Sequence, residues 1–131
     1  MKYLLTLYMD ETRRAGATPE ELVEGMKRWD AYTTEVKDAG AFLGGEGLEP
    51  TATATTLELR PDGDALVTDG PYAETKEQLG GFYLLECADL DEAIAWARKI
   101  PMPNGKVEVR PIMDYEAIGS AEHTQTAGAG R

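Results

Sequence analysis

Apolar positions alternate with a period of two along Lys2–Met9, with Tyr3, Leu5, Leu7 and Met9 on one face and Leu4, Thr6 and Tyr8 on the other. Both faces are largely apolar, which predicts a central strand covered on two sides. Residues 10–17 are polar and read as a loop. The period then changes. Leu22, Met26, Trp29, Tyr32 or Thr33, and Val36 recur at helical spacing, and Trp29 and Tyr32 read as core. Thr18-Pro19-Glu20-Glu21 precedes them as a start signal: Thr18 as N-cap, Pro19 at the first helical position and Glu21 completing a capping box. Gly40 is placed to end that helix.

Residues 41–43 open an extended segment, interrupted by Gly44-Gly45-Glu46-Gly47 and resumed at 51–59. Pro61-Asp62-Gly63 is a turn, and residues 65–68 return as its hairpin partner. Residues 82–87 form a second two-sided strand, with Phe82 and Leu84 facing one way and Tyr83, Leu85 and Cys87 the other. Asp89 caps a second helix whose buried stripe reads Leu90, Ile94, Ala97 and Ile100, flanked by Ala93 and Trp96. Pro101 and Pro103 stop it, Asn104-Gly105 turns the chain, and Val107, Val109 and Ile112 mark a last strand. Beyond Glu116 the residues are small and polar. A domain over 1–116 and a flexible tail over 117–131 are therefore expected, with the only histidine, His123, in the tail.

This order predicts an α+β domain, a ferredoxin-like βαββαβ unit with an extra β-hairpin. Two helices cover one sheet face only. The second apolar face calls for another cover, and a second copy of the chain is the economical one, giving a homodimer.

The stretch 66–86, LVTDGPYAETKEQLGGFYLLE, carries the densest chemistry. A plain hairpin needs only two to five connecting residues, and this connection is far longer. Asp69, Tyr72, Glu74, Lys76 and Tyr83 are the candidate pocket residues: a desolvated carboxylate acts as a general base, and a tyrosine orients a substrate oxygen. Glu74, Lys76 and Glu77 also fit a solvated surface loop. Asp69 has a particular constraint. Its usual partner is the N–H two residues on, and Pro71 has none. Gly70 keeps positive φ open, so a sharp bend is expected, with Asp69 clamped by the amides of Tyr72 to Thr75 or aimed at Lys76.

Composition narrows the classes. With 24 acids against 13 bases the formal charge is −11, and no basic patch offsets it, which argues against direct nucleic-acid contact. No apolar run nears the roughly 20 residues of a membrane span, and the opening MKYLLTLYMDE reads as a strand, not a signal peptide. One cysteine, Cys87, fits a reducing cytoplasm and a small core side chain. No metal-ligand spacing, phosphate-binding glycine loop or nucleophile elbow is present, so no cofactor or metal is expected.

LVTDGPYAETKEQLGGFYLLE, together with GGEGL, TATATT and the closing VEVRPI, resembles the DGPF subgroup of the YCII-related family, with Tyr72 where that subgroup usually has Phe. The resemblance runs from about Met1 to Ile112 and implies a dimeric α/β-barrel. It also implies likeness to small-molecule isomerases and lyases that work in the cavity of such a barrel. Some YCII relatives are thought to use a His and an Asp; this chain has no histidine before the tail, and residues 26–32 offer Trp and Tyr instead. Two functions follow as expectations: a protein that binds or transforms a small molecule in the barrel pocket, or a regulatory module linked through protein contact to transcription initiation, as the sigma-factor-associated label of the subgroup implies.

Overall fold

A computed structural model of the chain describes residues 1–122. Its centre is β1 (Lys2–Met9), which pairs antiparallel with β5 (Gln78–Glu86) on one side and β6 (Lys106–Pro111) on the other. β2 (Phe42–Gly47) joins the free edge of β5, giving the sheet order β2-β5-β1-β6. The long helix α2 (Pro19–Asp38) follows β1, and α3 (Leu90–Arg98) follows β5. A separate hairpin, β3 (Thr55–Leu59) with β4 (Ala65–Asp69), is inserted between β2 and β5. The architecture is thus α+β with antiparallel sheets in ferredoxin-like order, plus the expected hairpin.

The helix starts follow the local chemistry. The Thr18 hydroxyl accepts from the Glu21 N–H at 3.1 Å, and the Glu21 carboxylate accepts from the Thr18 N–H at 2.8 Å, closing the capping box. Asp89 accepts from the Glu92 N–H at 2.9 Å, while the Glu92 carboxylate accepts from the Ala88 N–H at 2.7 Å. Each pair satisfies amide hydrogens that no earlier turn can reach.

The core lies on one sheet face. Register places Tyr3 opposite Leu85, Leu5 opposite Tyr83 and Val109, and Leu7 opposite Gly81 and Val107. These side chains pack with Tyr32 and Val36 of α2 and Ala93 of α3, so both helices cover the same face. The other face carries Leu4, Thr6 and Tyr8 beside Phe82 and Leu84, all half-buried.

Several sequence expectations are corrected. The loop at 10–17 contains a short helix, α1 (Glu11–Ala15), because the Asp10 side chain accepts from the Thr12 N–H. Gly44-Gly45-Glu46-Gly47 does not interrupt the strand but belongs to β2. A Cβ on Gly45 would stand 3.0 Å from the Tyr83 ring, and one on Gly81 would stand 2.8 Å from the Glu46 carbonyl oxygen. These glycines let two strands and an aromatic ring approach closely, a use of strand glycine that propensity alone reads as a break. The extended stretch at 51–59 begins with a 3-10 turn, Thr51–Thr53. The inner stripe runs through Ala93, Trp96 and Ala97 of α3 to Ile100 just beyond its end, whereas Leu90 is exposed. In α2, Leu22 and Met26 are exposed and only the second half of the helix is held in the core. Helix α4 (Tyr115–Glu122) reaches into the stretch read as tail, and His123 lies outside the described residues.

Candidate functional site

The five sequence candidates do not converge. Asp69 ends β4, opposite Thr55, and is exposed. Gly70 takes φ +106, as the proline after it foreshadowed, but the clamp does not form. Among the described residues no amide of Tyr72 to Thr75 and no lysine reaches the Asp69 carboxylate. The bend is held from the facing strand instead: the Gly70 N–H donates to the Ala54 carbonyl at 2.7 Å, and the Thr56 hydroxyl donates to the Gly70 carbonyl at 2.8 Å. Backbone and threonine together satisfy the turn, so the carboxylate is not needed there.

Tyr72 is 87% exposed and borders a shallow groove of about 500 Å³ with Thr56, Glu58, Thr68 and Pro71. Glu74 is exposed. Tyr83 lies in the interior, where its ring stacks on Trp29 at 6.3 Å and meets Tyr32 edge-on at 5.2 Å. Its hydroxyl is 2.7 Å from that of Thr33. Tyr83 is therefore built into the core.

Lys76 has a different neighbourhood, and sheet register creates it. Met9 pairs with Gln78, and Tyr8 pairs with Lys106. Antiparallel pairing thus brings the residues just after β1 beside those just before β5 and β6. At this end of the sheet Asp10, Arg13, Lys76, Glu77 and Asn104 line a cleft of about 180 Å³. Its walls are tied together. Gln78 accepts from the Glu11 N–H at 3.1 Å and donates to the Thr75 carbonyl at 2.6 Å, fastening α1 to the end of the loop. The Glu11 carboxylate accepts from the N–H and hydroxyl of Thr51 at 2.9 and 2.6 Å, and so is committed away from the cleft.

The carboxylates of the cleft already have partners. One oxygen of Asp10 accepts from the Thr12 hydroxyl at 2.6 Å and the Thr12 N–H at 3.0 Å. These bonds, with the nearby Arg13 and Lys76 charges, hold Asp10 below the usual carboxylate range. Glu77 pairs with Lys106 at 2.7 Å. By contrast, among the described residues neither Arg13 nor Lys76 forms an ion pair within 4 Å. The sequence singled out Lys76 and missed Asp10, Arg13 and Asn104. The available signal was positional: Asp10 and Asn104 stand next to strand ends that an antiparallel sheet collects, and Arg13 lies on α1 directly after β1.

A ferredoxin-like α+β domain with a polar cleft at one end of its sheet is the class that these observations define. The chain belongs to the YCII-related domain family, which it matches over residues 1–116. It is also 40% identical over 119 residues to a protein of Rhizobium meliloti (strain 1021) described as uncharacterised, an alignment covering 88% of this chain and 95% of that protein. No helix among the described residues is long and apolar enough to cross a membrane.

Proposed function

We propose that this protein is a cytoplasmic, homodimeric member of the DGPF subgroup that binds a small molecule in the cleft between Asp10, Arg13, Lys76 and Asn104. The observation that carries the reading is the pair of unpartnered cations, Arg13 and Lys76, at a cleft assembled from three strand ends. The loop at 70–77 then acts as the arm that delivers Lys76, which accounts for its length. Asp10, held acidic by Thr12, is a weak base, and this favours binding over proton abstraction.

The dimer part of the proposal rests on the open sheet face. Register puts Lys2, Lys106 and Arg110 on it against Glu46, Glu86 and Glu108, three cations to three carboxylates. In a chain of net charge −11 this balanced face, centred on Leu4, Phe82 and Leu84, is one that two copies can bring together without acid repulsion. Glu46 lies on the β2 edge and Arg110 on the β6 edge. A two-fold axis parallel to the strands lays the β2 edge of one copy over the β6 edge of the other.

The second reading, a regulatory module acting by protein contact, is favoured by the hairpin. Leu57, Leu59 and Val67 stand exposed on one of its faces, an apolar strip suited to a partner. A thermal-shift screen of small metabolites, repeated with Lys76→Gln and Glu74→Gln, separates the two. Stabilisation that is lost with Lys76→Gln and kept with Glu74→Gln supports the cleft. Stabilisation lost only with Glu74→Gln moves the site to the outer loop, and no stabilisation by any metabolite favours the interaction module.

A further inference from the structure

We infer that the ligand of this cleft is a small carboxylate anion that also carries a hydroxyl or ammonium hydrogen-bond donor; the inference rests on the cleft being the binding site. The Arg13 guanidinium and the Lys76 ammonium are donors without an acceptor among the described residues, and the Asn104 amide stands with them on the lining. Planar guanidinium matches a carboxylate with two parallel bonds, while an ammonium supplies a point charge. On the acceptor side, only one Asp10 oxygen is used, by Thr12, leaving the second for a donor on the ligand. Sulfate or a halide, with no donor, leaves that oxygen unmatched. A neutral ligand leaves both cations unmatched.

Charge and size bound the ligand further. The charged groups on the lining are Arg13 and Lys76 against Asp10 and Glu77, and Lys106 neutralises Glu77 from outside the lining, which leaves two cations against Asp10 within a chain of net charge −11. Screening over roughly 8 Å at physiological ionic strength lets this local excess act in spite of the global field. A volume of about 180 Å³ is room for a compact acid.

Calorimetric titration of the full chain with malate, with its neutral diamide and with inorganic phosphate tests the assignment. Malate should bind, its affinity should fall as salt rises, and Arg13→Gln and Lys76→Gln should each weaken it about tenfold or more, as for loss of one charge-assisted contact. The diamide should bind far more weakly. If the diamide binds as well as malate and Lys76→Gln abolishes both, the cleft stands and the anion assignment fails. Phosphate binding with the same variant sensitivity, without malate binding, overturns the carboxylate. Malate binding that ignores both variants places the site elsewhere and overturns the cleft as well. Absence of binding by malate, aspartate and glycolate at millimolar concentration also rejects the inference. Circular dichroism of each variant, expected to match the parent, shows that any loss reflects the site and not the fold.

Discussion

The hydroxyls of Thr33 and Tyr83 stand 2.7 Å apart, one on α2 and one on β5, and this contact fixes the helix over the middle of the sheet. Around it Tyr32 donates to the Trp96 carbonyl at 2.9 Å, joining α2 to the start of the last turn of α3. Burial, with the neighbouring Tyr83 and Cys87 adding, pushes the Tyr32 hydroxyl above its usual range, so it stays a neutral donor. The Tyr83 hydroxyl, which sequence alone offers to a substrate, is thereby consumed by the interior, as is that of the core residue Tyr32.

Tyr83→Phe should therefore act on stability and not on ligand binding. Removing the hydroxyl leaves the half-buried Thr33 oxygen without its partner, a loss of about 1 kcal/mol. Urea unfolding should show a lowered midpoint at unchanged slope, and Thr33→Val should lower it by a similar amount. The double variant should cost less than the two losses added, since the pair shares one bond. A Tyr83→Phe protein of parental stability that has lost ligand binding would return Tyr83 to the site.

Thr18→Ala should cost on the order of 1 kcal/mol, because the Thr18 hydroxyl is one half of a closed capping box. Thr18→Ser keeps the acceptor and should recover most of the loss. Because the first half of α2 is only loosely held, with Leu22, Val23 and Met26 exposed, amide exchange there should accelerate before the core is affected. Uniform acceleration throughout α2 would show that the cap secures the whole helix.

Wherever local chemistry decided the conformation, the sequence was readable. Thr18, Asp89, Gly63 and Gly70 each act within a few residues of themselves, and each does what its neighbours predict. Alternation in Lys2–Met9 and around Phe82 and Tyr83 gave the central strands because a two-residue period survives any register. The glycines of β2 misled, since the reason for Gly45 is the backbone and the Tyr83 ring of β5 across the sheet. The cleft was hidden from the sequence in the same way. Asp10, Arg13 and Asn104 acquire meaning only when register brings residues some 60 to 90 positions apart in sequence to one sheet end, and Asp69 lost its role because Thr56, on another strand, holds the bend.

Leu84→Lys should convert the protein to a monomer without unfolding it. Leu84 faces Leu4 on the open sheet face, away from both helices, so the new charge remains solvated in a single copy and is buried only against a second. Light scattering at micromolar concentration should give twice the chain mass for the parent and the chain mass for the variant. A parent that scatters as a monomer would show that this face is not the interface.

Cys87 provides the last test, of how tightly the end of β5 is closed. The side chain is 3% exposed, and its flanking backbone is stapled to the N-terminus: the Cys87 N–H donates to the Met1 carbonyl at 2.8 Å and the Met1 ammonium donates to the Cys87 carbonyl at 3.0 Å. Burial pushes the thiol above its ordinary value of 9.0, and the nearby Glu92 and Glu86 charges push the same way. An aromatic disulfide reagent at pH 8 should therefore react only as fast as the strand end opens, and at once in urea. The sign of the pH effect follows. Above pH 9 the unfolded thiol releases its proton while the folded one keeps it, so the native state binds more protons and stability falls as pH rises. The contribution is complete below the unfolded pKa and is lost as pH climbs through the folded one. Cys87→Ala removes this contribution, so its urea midpoint should decline less steeply than the parent's between about pH 9 and 10. Equal slopes in the two proteins, or a thiol that reacts at once in the native state, would mean that the pairing of Met1 with Cys87 does not seal the strand.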